Sequence, residues 1–103
     1  MIHAVFFWLR SDLTEAERTL FQDELLLLLD LPYLVQGKVG RPAATTHREG
    51  VTDHSFDFSL LLEFKSMEDH DAYQVSDPAH DRFIDTCKGL WEKVRVLDSD
   101  PVI

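Results

Sequence analysis

The chain has 103 residues, enough for one domain and too few for two at the usual allotment of roughly 100–200 residues each. Hydrophobic residues make up 45% and charged residues 28%, a globular balance that excludes a disordered or low-complexity chain. Ten Lys and Arg against nineteen Asp and Glu leave a net charge of −9. That excess repels phosphate backbones and anionic lipid surfaces, and no local basic patch offsets it, so neither nucleic acid nor membrane is an expected partner.

Apolar runs such as Leu25–Leu29 fall far short of the ~20 residues that cross a bilayer. No basic, apolar leader opens the chain, and a soluble, cytoplasmic protein is expected. Cys87 is the one cysteine, so an intrachain disulfide and a cysteine zinc cluster are both excluded, which fits a reducing compartment.

Ile2–Leu9 is rich in β-branched and aromatic residues, without Gly or Pro, and reads as a strand. Alternation puts Ile2, Ala4, Phe6 and Trp8 on one face and His3, Val5, Phe7 and Leu9 on the other, so both faces are apolar. Thr14 and Glu17 have capping-box spacing and start a helix that runs to about Leu29, with Leu13, Leu20, Phe21, Leu25 and Leu28 as its inward stripe. Pro32 ends it. Tyr33–Gly40 forms a second strand, residues 41–52 a loop, and Ser55–Phe64 a third strand with Phe56, Phe58, Leu60, Leu62 and Phe64 toward the core.

Ser66 caps a short helix carrying Tyr73, and Asp77-Pro78 restarts helix, Asp77 as the cap and Pro78 in the first turn. Trp91–Asp98 is the last strand. The order β-α-β-β-α(α)-β is that of an α+β, ferredoxin-like domain spanning residues 1–103, its antiparallel sheet covered by helices on one face. The uncovered face of the first strand would expose a contiguous apolar row, so a homodimer with sheet facing sheet is expected.

Three side chains stand out for chemistry. His80 shares the three- and four-residue spacing of Phe83, Ile84 and Cys87, which turns its imidazole inward. The helix dipole favours a neutral ring, whereas Asp77 and Asp81 favour a charged one. A neutral, partly enclosed histidine can accept or donate a proton, and the plainer alternative is a core histidine bonded to a backbone carbonyl. His3 lies on the side of Val5 and Phe7, either lining a cavity or idle at a strand end. Tyr73 can orient a ligand oxygen or simply pack at a helix end.

Neither Asp53, His54 and Asp57 nor Glu68, Asp69, His70 and Asp71 has a recurrent metal-ligand spacing, and both groups read as solvated acidic surface. His3, His80 and an acidic residue are too few to define a coordination sphere. Glycine-rich phosphate loops and nucleophile elbows are absent, and no metal or cofactor is expected.

His3-Ala4-Val5, Leu13–Ala16 with Phe21, and Tyr73 through Asp77-Pro78-Ala79-His80, Phe83 and Trp91-Glu92-Lys93 together resemble the stress-responsive dimeric α/β-barrel (Dabb) family over nearly the whole chain. The resemblance implies a ferredoxin-like protomer that pairs with a second copy into a barrel. Within that family the pattern is similar, distantly, to that of olivetolic acid cyclase, a cofactor-independent polyketide cyclase. The similarity implies a catalytic role for His80, assistance from Tyr73 and His3, and pocket walls at Val5, Phe7, Phe21, Phe83 and Trp91. The cyclase's third-strand histidine aligns with Phe58 and its first-helix tyrosine with Leu25, which weighs against polyketide cyclisation. Tyr73 is one residue farther from His80 than in the cyclase, a step of ~100° around a continuous helix.

The expected function is therefore a homodimer that binds a small apolar, aromatic or polyketide-like molecule, with acid/base catalysis by His80. The alternative is a non-enzymatic, stress-associated structural protein, with Leu26, Leu27 and Leu29 supporting higher oligomers.

Overall fold

A computed structural model describes residues 1–103. The elements are β1 (Ile2–Leu9), α1 (Glu15–Leu27), a 3₁₀ turn (Leu28–Asp30), β2 (Leu34–Gly40), β3 (Phe58–Phe64), α2 (Met67–Ser76), α3 (Pro78–Cys87) and β4 (Trp91–Ser99). The strands form one antiparallel sheet in the order β2-β3-β1-β4. This is the ferredoxin-like arrangement that the element order implies. No helix is long and apolar enough to cross a membrane.

Each helix begins where its sequence supplies a cap. Thr14 Oγ1 accepts from the Glu17 amide at 3.1 Å, and the Glu17 carboxylate accepts from the Thr14 amide at 2.9 Å, closing a capping box. Ser66 accepts from the Asp69 amide to start α2. Asp77 accepts from the Ala79 amide at 2.8 Å, and Pro78 opens α3, where its missing N–H costs nothing. The Tyr33 hydroxyl donates to the same Asp77 carboxylate, tying the helix start to the β2 approach.

Burial alternates strictly along β1 and β3, with His3, Val5, Phe7 and Leu9 beneath the helices alongside Phe58, Leu60, Leu62 and Phe64. Phe21 of α1 is fully buried and meets four rings, Phe7 at 5.1 Å, Phe58 at 5.6 Å, Phe83 at 5.8 Å and Trp91 at 6.3 Å between centroids. Gly37 lets β2 approach the 3₁₀ turn: an added Cβ would lie 2.7 Å from Leu29 Cδ2.

Two expectations need correction. Leu20 is 41% exposed, and the inward stripe of α1 runs Phe21, Glu24 and Leu25, continued by Leu28 of the 3₁₀ turn, because one residue is a turn of ~100° on a helix. Glu24 is held in that buried stripe by Arg82 of α3, whose Nε and Nη2 donate to its two oxygens at 3.3 and 3.0 Å. The third strand starts at Phe58: the Asp57 amide still donates to the Phe7 carbonyl at 2.8 Å, but offset by one residue from the Phe7–Phe58 pairing, and its side chain makes a junction. Its carboxylate accepts from the Leu9 amide at 2.8 Å and from Arg18 at 3.3 Å. Phe56 consequently lies with Phe6 (5.0 Å) and Trp8 (6.4 Å) on the helix-free face and not in the core.

Phe21→Ala removes the ring common to this cluster and should cost about 3–5 kcal/mol in urea unfolding. Arg82→Met leaves a buried carboxylate without its partner and should lower the melting temperature. The Glu24→Met, Arg82→Met double variant should recover much of that loss.

Candidate functional site

A cleft of about 340 Å³ opens between the inner face of the sheet and α2–α3. Its floor is His3, Val5 and Phe7 of β1 with Leu60 of β3. Tyr73 and Gln74 of α2 and His80, Phe83 and Ile84 of α3 form one wall; Trp91, Val94 and Val96 of β4 form the other. Val94 and Val96 stand opposite Phe7 and Val5 in the β1–β4 register, which places them on the inner face, yet they are 37% and 44% exposed. No helix covers β4, and that gap is the mouth of the cleft. Nine of its twelve lining residues are hydrophobic, a wall suited to an apolar guest with a few fixed polar contacts.

In a groove of about 400 Å³ beside α1, bordered by Glu15, Arg18, Arg41 and Phe58, both cations are already engaged. Arg18 donates to Asp57 and Arg41 to Gln22. It offers no cluster of titratable groups free for chemistry.

His80 stands in the first turn of α3 with its ring edge-on to Tyr73, centroids 4.8 Å apart and planes at 74°. Its Nδ1 is buried without a hydrogen-bond partner, 4.0 Å from the nearest Asp81 oxygen. Burial lowers the pKa of His80 below the ordinary histidine value and outweighs the opposing pull of Asp81 and Asp77, so the neutral ring is favoured at pH 7. Tyr73 is 2% exposed; burial, reinforced by Asp77, raises its phenol pKa and keeps it a protonated donor. Because α2 and α3 are separate helices that break at Asp77, the extra residue between Tyr73 and His80 does not rotate the phenol away from the cleft.

His3 is 5% exposed, with Nδ1 2.6 Å from the Asp98 carboxylate. Burial also lowers its pKa, against the raising influence of Asp98. Behind it lies His70 of α2, 7% exposed, whose Nε2 is 3.2 Å from His3 Nδ1 and whose Nδ1 is 3.0 Å from Asp71. The reading of His70 as part of a solvated acidic surface is corrected by its burial, and Asp98 was not singled out from the sequence. Two signals were available: Asp98 continues the period-two row of Val94 and Val96, and His70 precedes Tyr73 by three residues, on the same helix face.

Val5, Phe7, Phe83 and Trp91 line the cleft with His3, Tyr73 and His80. Phe21, Leu25 and Phe58 do not. Phe21 and Leu25 are wholly enclosed in the packing between α1 and the sheet, and Phe58 borders the groove on the α1 side.

The sequence matches the Stress responsive A/B Barrel Domain, Dabb, over residues 1–101. The chain belongs to this family. Solved structures with the same fold include a dimeric ferredoxin-like protein from Thermobifida fusca (TM-score 0.71, 16% identity, covering 93% of this chain and 85% of that one). A second is a Dabb-family protein from Mesorhizobium loti (TM-score 0.74, 19% identity, covering 98% and 95%). A third is the hydroxynitrile lyase of Passiflora edulis (TM-score 0.71, 23% identity, covering 93% and 87%). Comparison with curated protein sequences finds no significant match.

In this Dabb protein both cleft histidines titrate below their unfolded value of about 6.5. The unfolded chain therefore binds more protons at mildly acidic pH, so their contribution to stability is present above that value and lost as pH falls below it. Melts at pH 7.5 and pH 5 should show this loss, and His80→Gln should make the two melting temperatures more alike. An unchanged difference in the variant would remove His80 as a cause.

Proposed function

We propose that this Dabb protein is a homodimer that holds a small, largely apolar, aromatic or polyketide-like molecule in the cleft and moves a proton on it without a cofactor. His80 serves as general base or acid on a carbon next to a carbonyl, Tyr73 donates a hydrogen bond to the carbonyl oxygen, and His3 borders the same polar end. The observation that carries this reading is the His80 ring, its side chain 19% exposed, lining an apolar cleft beside the protonated Tyr73 phenol. The hydroxynitrile lyase with this fold supports an enzymatic use of it.

Pairing through the helix-free face is favoured by the half-buried row Ile2, Ala4, Phe6 and Trp8, extended by Leu61 of β3. Burial raises the Cys87 thiol to about 11, which keeps it protonated and inert and is compatible with a cytoplasmic setting. Leu20, Leu26 and Leu27, 41–49% exposed on α1, favour a second reading in which the barrel builds larger, non-enzymatic assemblies.

Light scattering after gel filtration should give twice the 11.9 kDa chain mass, and Phe6→Glu should halve it. A panel of aromatic ketones and acids should contain compounds that raise the melting temperature of the wild type and not of His80→Ala. A large assembly indifferent to the whole panel would replace the cleft reading with the structural one. Any proton-transfer activity found should have an acid limb below pH 6.5, since the base must be neutral and its pKa is lowered.

A further inference from the structure

Two strands and a helix bring three metal-binding side chains to one point. His3 of β1 and Asp98 of β4 are direct partners in the antiparallel register, so the sheet fixes their separation, and His70 descends onto them from the first turns of α2. His3 Nδ1 lies 2.6 Å from Asp98 Oδ1 and 3.2 Å from His70 Nε2, and His70 Nε2 lies 3.9 Å from Asp98 Oδ2. One donor atom from each residue falls within a 4.8 Å group. Ligands ~2.0–2.1 Å from a tetrahedral ion stand about 3.3 Å apart, so these separations bracket the edges of such a coordination sphere.

Proton accounting supports the same conclusion. When neutral His70 donates its Nδ1 hydrogen to Asp71 Oδ1, 3.0 Å away, its Nε2 carries a lone pair directed at His3 Nδ1. His3 Nδ1 has one hydrogen at most in its neutral form, and the Asp98 carboxylate takes it. The second nitrogen contact then has a lone pair and no proton of its own. A cation in place of that single hydrogen meets lone pairs from all three residues. The Asp71–His70 contact is the carboxylate–histidine support that orients an imidazole on a metal.

We propose that His3, His70 and Asp98 bind one first-row divalent transition-metal ion per chain, with an open coordination position on the side of Asp98. Two imidazoles and one carboxylate suit Zn²⁺, with Co²⁺ as its spectroscopic surrogate, better than Ca²⁺ or Mg²⁺, which prefer oxygen ligands throughout. Three protein ligands leave room for water or a substrate oxygen in the fourth position, the pattern of reactive and not of purely structural sites. The Asp98 side chain is 40% exposed, which gives the ion a route in, whereas the two imidazoles are shielded.

The test is titration of tag-free, chelator-stripped protein with Co²⁺, read by visible absorption, and with Zn²⁺, read by calorimetry. One ion per chain and the intense visible bands of a tetrahedral cobalt centre are expected. His70→Ala and Asp98→Asn should each weaken binding at least tenfold, and Asp71→Asn should weaken it by about 10–100-fold through the outer contact. Zn²⁺ should raise the melting temperature of the wild type and leave that of His70→Ala unchanged. If His70→Ala does not fold, Asp98→Asn, on an edge strand, carries the test. His80→Ala should keep cobalt binding while losing the response to aromatic compounds, so the two sites fail separately. Absence of binding, or binding lost in His47→Ala and kept in Asp98→Asn, overturns the proposal, because His47 lies near His54 on the exposed segment before β3.

Discussion

A β-strand sends successive side chains to opposite faces, and in this protein that alternation governs the strand on which most else depends. β1 is interior to the sheet, between β3 and β4, so both its edges are hydrogen-bonded and its register dictates theirs. Its odd-numbered residues build the floor of the cleft, and its even-numbered residues build the helix-free face. Val96 and Val94 reach the cleft, and Asp98 reaches His3, only because they stand opposite Val5, Phe7 and His3. A one-residue slip would send the histidine and the aromatic floor to the other side of the sheet together, so the hydrophobic pattern that stabilises the fold also aims its polar groups.

The charge state of the cleft follows from competition between burial and local acids. The chain carries a net charge of −9, and His80 sits between Asp77 and Asp81, an environment that would ordinarily hold an imidazole protonated. Burial still prevails, and His80 is lowered. Asp77 is occupied as the α3 cap and as acceptor for Tyr33, and Asp81 keeps its oxygen 4.0 Å from Nδ1. Neither acid makes the direct hydrogen bond to the ring that would offset the loss of hydration. Local capping chemistry thus lets burial favour a neutral imidazole in the cleft.

The strands, the three helix caps and the inward turn of His80 were all legible in the sequence, because periodicity and capping are local rules. What escaped it depended on three-dimensional closure. His70 lies in the run Glu68-Asp69-His70-Asp71, whose composition reads as solvated surface, and only the docking of α2 on the sheet buries the histidine while its acidic neighbours stay outside. Asp98 is an unremarkable strand-end acid until register sets it against His3. Phe56 continues the period-two pattern of β3, but the regular register ends at Asp57, whose amide bonds Phe7 and whose carboxylate holds the Leu9 amide. Leu25 and Phe58, positions suggested by family resemblance, became packing residues because apolar side chains there close the α1 side of the core.

That closure leaves the cleft with two chemically distinct ends. On the α1 side, Leu25 and Phe58 are buried in apolar packing. The titratable groups gather instead at the other end of β1, around His3, His70, His80 and Asp98. His3 and Phe7 are four residues apart on one strand, about 13 Å at ~3.3 Å per residue. Phe7, Phe83 and Trp91 pack together at the far end, with Phe83 and Trp91 stacked 5.9 Å apart. A guest that satisfies both ends must be elongated, with a ring or alkyl portion against the aromatics and an oxygen function against the histidines. Such a molecule has one favourable orientation, because reversing it would bury its polar group against Phe83 and Trp91.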